Sequence, residues 1–261
     1  MGNSDSKSQE FLDACYAGKI DEVERLINNE KVPVHDVTDH RGRHPLPGAV
    51  LSGVQDLVDY LLQHQVDVNK GQEGEGTPLY LACREHMADL ALTLLATGEA
   101  EVDRGARDGT SALHAAAARG HAEIARFLVL QGKADVGLLA RDGRGPLHAA
   151  AAAGAVEILD VLADAGADLR QVTAPWAGRS AAHVAAAAGH TAFLRALQER
   201  GALDADAGDD YGYPPLTYAA RGGHLGAAEF LVKEAGADPL VWGWDRATPL
   251  AAAAAAGRDD V

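Results

Sequence analysis

Cysteine is almost absent. Cys15 and Cys83 stand alone in apolar surroundings, so neither a disulfide framework nor a thiolate metal site can be drawn, and a reducing, cytoplasmic location is expected. Aromatic residues make up only 5% of the chain. A core without them rests on Ala, Leu and Val, a mixture that suits closely packed helices better than sheets. No apolar run approaches the ~18 residues that cross a bilayer, and the N-terminus lacks the apolar stretch of a secretory signal. Positive charge is scarce as well. The net charge of −15 repels nucleic-acid phosphates and disfavours docking on anionic lipid by charge alone. The motifs H-E-x-x-H and G-x-S-x-G and paired cysteines are all missing, and no enzyme constellation replaces them.

What the chain does contain is a repeat. Related segments begin at His44-Pro45-Leu46, Thr77-Pro78-Leu79, Ser111-Ala112-Leu113, Gly145-Pro146-Leu147, Ser180-Ala181-Ala182, Pro214-Pro215-Leu216 and Thr248-Pro249-Leu250. Their second positions are 33, 34, 34, 35, 34 and 34 residues apart. Thr77 before Pro78 reads as a helix N-cap followed by proline at the first helical position, where its missing N–H costs nothing. Each first helix should end at a glycine, as at Gly53, Gly120, Gly154, Gly189 and Gly223, which closes a helix in the left-handed region. A second helix follows, with apolar residues at i, i+3 and i+4: Leu57, Tyr60, Leu61; Ile124, Phe127, Leu128; Ile158, Val161, Leu162; Phe193, Ala196, Leu197. One repeat cannot bury such a stripe alone, and stacked repeats can.

These segments resemble the T-P-L-H-x-A signature of ankyrin repeats, from about residue 9 to the end of the chain. The resemblance implies an all-α solenoid of stacked helix–turn–helix units with projecting finger turns. It divides the chain into a flexible tail (1–8), an N-terminal cap (9–36), six full repeats (37–242) and a half repeat (243–261). It also implies that His114, His148 and His183 tie a finger turn to a helix start, so they are not metal ligands or catalytic groups. Two departures mark the first full repeats as least regular: Pro47 at the histidine position, and His86 where a glycine is expected. Glycines in residues 71–76 superficially resemble a phosphate loop, but no lysine and no preceding strand accompany them.

The family implies a non-catalytic protein-binding scaffold or adaptor without a cofactor, possessing a protein partner and no nucleic-acid one, in a cytoplasmic or cytoskeletal assembly. An alternative is the substrate-recruiting portion of a longer enzyme or ubiquitin-ligase adaptor, its effector segment lying beyond Val261. The finger positions are the candidate partner-binding residues: Arg41, Arg43, Arg107, Arg141, Arg144, Trp176, Arg179, Tyr211, Tyr213 and Trp244. Trp, Tyr and Arg are the types enriched at binding hot spots. The competing reading is that finger aromatics stack on one another to stiffen the turns. Beside them, Ala152, Ala153, Ala187 and Ala188 should leave room for a partner helix or peptide. Finally, Met1-Gly2 with Ser6 fits the myristoylation pattern at Gly2, set against an ordinary polar tail. One such chain would give weak membrane association at most.

Overall fold

The computed structural model describes residues 2–35, 37–72, 74–173 and 177–258, and only the backbone of residues 2–5. Its elements are helices: α1 (Gly2–Tyr16), α2 (Ile20–Asn28), α3 (Pro45–Ser52), α4 (Gln55–Gln63), α5 (Pro78–Arg84), α6 (Ala88–Ala96), α7 (Ala112–Arg119), α8 (Ala122–Leu130), α9 (Pro146–Ala153), α10 (Val156–Asp164), α11 (Ala181–Ala188), α12 (Thr191–Glu199), α13 (Pro215–Gly222), α14 (Leu225–Lys233) and α15 (Pro249–Ala255). Extended pairing among the described residues is confined to two isolated bridges, Gln72 with Gly76 and Val172 with Ser180. The all-α repeat fold expected from the sequence is the fold observed.

Local chemistry sets the helix ends. Pro45, Pro78, Pro146, Pro215 and Pro249 each open a first helix. Thr77 caps α5 by accepting the Tyr80 N–H at 3.3 Å. The first helices α9, α11 and α13 close at Gly154, Gly189 and Gly223 with φ of 68°, 76° and 74°. His86 adopts the same left-handed region at φ 61°, so the repeat without its glycine keeps the turn and bears the strain of a Cβ there. Residues 2–8, expected as a flexible tail, continue α1. No helix breaker interrupts them, and Lys7 pairs with Glu30 at 2.9 Å.

The chain divides into two compact units, residues 1–116 with 126–134, and residues 117–125 with 135–261. In the first, α1 packs on α2 and α3, α3 on α5, and α4 on α6. Phe11, Leu12, Leu26, Leu46, Leu57, Leu61, Leu79 and Leu94 are fully buried there. Gly48 in α3 lies directly under the Tyr16 ring, where a Cβ would come within 2.3 Å.

The second unit has two layers. First helices α9, α11, α13 and α15 pack in series, and second helices α10, α12 and α14 pack behind them. Ala181, Ala185 and Ala186 in α11 are wholly buried, and such small side chains let neighbouring helices approach closely. Ile158, Leu162, Phe193, Leu197 and Leu231 fill the space between the layers. Each buried Leu or Phe contributes about 1.5–3 kcal/mol through removal from water. The expected apolar stripes are thus buried, apart from Tyr60 and Phe127, which are only half-buried.

Candidate functional site

The fingers of the second unit are turns closed by their own main chain. Ala140 donates its N–H to the Arg144 carbonyl at 2.9 Å, Asp209 to Tyr213 at 3.0 Å, and Gly243 to Ala247 at 3.2 Å. Thr173 does the same to Arg179 at 2.8 Å, across six residues where the others span four. Successive fingers are also joined: Asp210 N–H donates to the Ala177 carbonyl at 3.0 Å, and Trp244 N–H to the Tyr211 carbonyl at 2.9 Å.

The repeated histidines hold these turns onto the helices. His148 accepts the Gly145 N–H at Nδ1 (3.2 Å), and its Nε2 lies 3.0 Å from the Arg179 carbonyl in the next finger. His183 repeats this with the Ser180 N–H (3.1 Å) and the Tyr213 carbonyl (3.0 Å). Nδ1 accepting and Nε2 donating define a neutral ring with its proton on Nε2. Burial lowers both pKa values, against the raising effect of the bonded carbonyls. At the far ends of the first helices, the His190 and His224 rings reach the carbonyls of Ala152 (3.1 Å) and Ala187 (2.9 Å). Donation there satisfies groups that a helix C-terminus leaves open.

The candidate finger residues fall into distinct environments. In the first unit Arg41 and Arg107 are exposed. Arg43 is not: its side chain is 15% exposed, bonded to Asp39 (2.7 Å) and Asp13 (2.8 Å), and laid over the Tyr16 ring at 5.0 Å. Burial would raise the pKa of Asp39, yet the Arg43 guanidinium and the Arg41 and Arg43 N–H groups bring it down to about 2. In the second unit Arg141 is exposed, and Arg144 is exposed but paired with Asp142 at 2.5 Å. Trp176 lies outside the described residues.

Around the remaining candidates the structure builds one connected cluster. Asp209, whose side chain has no exposure, accepts the N–H groups of Tyr211 (2.9 Å) and Tyr213 (3.0 Å) and the hydroxyl of Tyr218. Arg179 Nε donates to the Tyr218 hydroxyl at 3.0 Å, and its guanidinium carbon lies 4.6 Å from that ring's centroid. Arg221 lies over the Tyr213 ring at 5.7 Å. The Tyr213 hydroxyl in turn donates to Asp245 at 2.5 Å. Burial and the bond to Asp209 push the Tyr218 hydroxyl up to about 12, and the bond to Asp245 raises that of Tyr213. Both phenols therefore remain protonated donors near neutrality.

Stacking accounts for part of what the finger aromatics do. Tyr213 covers Gly243, where a Cβ would lie 2.3 Å from its ring, and Trp244 lies against Gly212. Much aromatic surface nonetheless stays in water: Trp244 is 78% exposed, Trp242 63% and Tyr211 53%. Ala152, Ala153 and Ala187 are exposed beside them, and Ala188 half-buried. Tyr218 and Arg221 escaped sequence reasoning because they stand on a helix rather than a finger. Their three-residue spacing on α13, which puts them on one helical face, was the available signal. Among the described residues no group of His, Cys, Asp and Glu could hold a metal, and no helix is long and apolar enough to cross a membrane.

Models of the family "Ankyrin repeats (3 copies)" match residues 11–106, 97–173 and 170–241. Over 88 residues the chain is 34% identical to a mouse protein (Mus musculus), "Protein phosphatase 1 regulatory subunit 27", and 33% identical to the human protein (Homo sapiens) of the same name. The aligned stretch covers 34% of this chain and 56% of each relative, so the chain spans little more than half the length of the curated relatives it matches.

Proposed function

The chain belongs to the ankyrin-repeat family, and from that premise we propose that it is a non-catalytic adaptor or scaffold in the cytoplasm, gripping a partner protein with the fingers and first helices of its second unit. The exposure of Trp244 carries this reading. A tryptophan 78% in water on a turn, joined to its neighbouring finger by a main-chain bond, adds little to the core and offers a large, pre-positioned contact area. Arg179, Tyr211 and Tyr213 extend the contact over the adjoining fingers, and Ala152 and Ala187 leave room beside them for a peptide or helix.

The similarity to a regulatory subunit of protein phosphatase 1 makes that phosphatase the first partner to test. Calorimetric titration with its catalytic subunit should show binding. Trp244→Ala should then weaken it by 2 kcal/mol or more, about thirtyfold, with the melting temperature nearly unchanged. Absence of binding would remove this partner. Binding indifferent to Trp244 and Tyr211 but lost on changing Glu157 and Asp160 of α10 would move the surface to the second helices.

A further inference from the structure

Among the described residues four arginines lie over tyrosine rings, and they differ in what else they hold. In the first unit Arg43, over Tyr16, is bonded to Asp39 and Asp13. Arg84, over Tyr80 at 5.9 Å, is bonded to Glu75 (3.2 Å) and Glu85 (2.7 Å). Those guanidiniums have carboxylates of the chain itself as partners. In the second unit Arg179 meets a carboxylate of the described residues only through Nε, 3.7 Å from Asp209, and its side chain is 42% exposed. Arg221 has no carboxylate within 4.0 Å among the described residues and is exposed.

The acids beside this pair are committed elsewhere. Asp209 accepts two backbone N–H groups and the Tyr218 hydroxyl, and Asp245 accepts the Tyr213 hydroxyl and the Ala247 N–H at 2.9 Å. Asp245 acts on Arg221 through its charge without bonding it, and among the described residues the Arg221 side chain makes no hydrogen bond or ion pair, while that of Arg179 bonds only through Nε. Tyr218, beneath Arg179, and Arg221 are three residues apart on α13, so the two guanidiniums flank one helical face. Along the neighbouring α11, the positions equivalent to Tyr218 and Arg221 are Val184 and Ala187, which are too short to cover them.

We propose that Arg179 and Arg221 form an anion-recognition site for a carboxylate side chain of the partner, so that the second unit selects an acidic peptide segment. This rests on the reading that the partner lies across the fingers and first helices. Contact with a tyrosine ring restrains each guanidinium before binding, which reduces the side-chain entropy lost on capture. A planar fork with free N–H groups matches a carboxylate in two parallel bonds. The aromatic surface of Trp244 and Tyr211 adds apolar contact to the peptide beside the charge. On a chain of net charge −15, two guanidiniums that no carboxylate of the described residues holds in two parallel bonds direct an acidic segment to this place and away from the rest of the surface.

The probe is a synthetic peptide array of seven-residue sequences, Leu-x-x-Glu-x-x-Leu, with a matched set carrying Gln in place of Glu, incubated with the full chain. Expected is retention of Glu peptides at least about tenfold above their Gln partners, as for a charge-assisted pair of bonds. The double variant Arg179→Gln with Arg221→Gln should erase that preference, and Arg221→Gln alone, which loses the contact over Tyr213 but breaks no hydrogen bond or ion pair among the described residues, should reduce it with only a small shift in melting temperature. Added salt should weaken the Glu set more than the Gln set. Equal retention of the two sets, or no retention of Glu peptides, overturns the proposal. Equal retention that Trp244→Ala abolishes leaves the finger surface standing and removes only its acidic selectivity. Retention indifferent to all of these substitutions removes both.

Discussion

Thr217 stands at the repeat position that His183 fills one repeat earlier, and its hydroxyl is buried without a hydrogen-bond partner. The residue before each helix explains the exchange. His183 needs the Ser180 N–H for its Nδ1, and the corresponding position before α13 is Pro214, which has no N–H to give. Pro214→Ser with Thr217→His should restore both the local bond and the tie to the Ala247 carbonyl. The double variant is expected to gain about 1–2 kcal/mol in urea unfolding, at roughly 1 kcal/mol per bond. Thr217→His alone should gain less, leaving a positive coupling in the double-mutant cycle.

Arg246 occupies the left-handed region at φ 65°, where the equivalent residues Gly178 and Gly212 carry no Cβ. A side chain in that conformation costs about 1–3 kcal/mol, more than the roughly 0.4–1 kcal/mol of chain entropy that glycine adds to the unfolded state. Arg246→Gly is therefore expected to raise stability by about 1 kcal/mol. A lowered thermal midpoint would show that the Arg246 side chain makes a compensating contact.

Leu147 is 1% exposed at the third position of its repeat signature. Leu147→Ala should cost about 2–5 kcal/mol, the usual loss for emptying a buried leucine site. Chemical unfolding of this variant at the parent midpoint would contradict the packing between α9 and its neighbours.

Acid should loosen the finger ties. Burial holds the folded-state pKa values of His148 and His183 below their ordinary value, which is about 6.5. Between the folded and unfolded values the unfolded chain binds more protons, so stability rises with pH there. Stability is then flat above pH ~6.5 and declines below it, through these two groups, until the folded pKa is passed. Urea midpoints from pH 8 to 5 would reveal this. The decline should be smaller in His148→Gln, which removes one titrating group.

The repeat and the helix pairs were legible because each follows from local pattern, a proline start, a glycine stop and a fixed period, while the role of the buried histidines came from the resemblance to ankyrin repeats. Long-range pairing was not. Arg43 stands among the finger candidates in sequence, yet its guanidinium is bonded to Asp13, thirty residues away, and nothing in the local pattern marks that partner. The finger bearing Arg179 also misled the count. A spacing of 35 suggests one added residue, but Asp168 stands 14 residues after Gly154 where Asp204 stands 15 after Gly189. One residue lost before the finger hides two gained within it. Tyr218 and Arg221 were passed over because the neighbouring first helices carry alanines, which made that face read as empty.

The bonds from Trp244 to Tyr211 and from Asp210 to Ala177 act as single rungs set one behind another. A partner tugging on Trp244 loads the bond to Tyr211 before the bond to Ala177. The finger that carries Trp244 has Thr217 at the position of the tying histidine and contains the strained Arg246. Under tension the second unit should thus peel from the finger that carries the load, at forces well below those that shear the helix layers. The mechanical lifetime of a complex would be set by this one turn, however tightly the partner binds at rest.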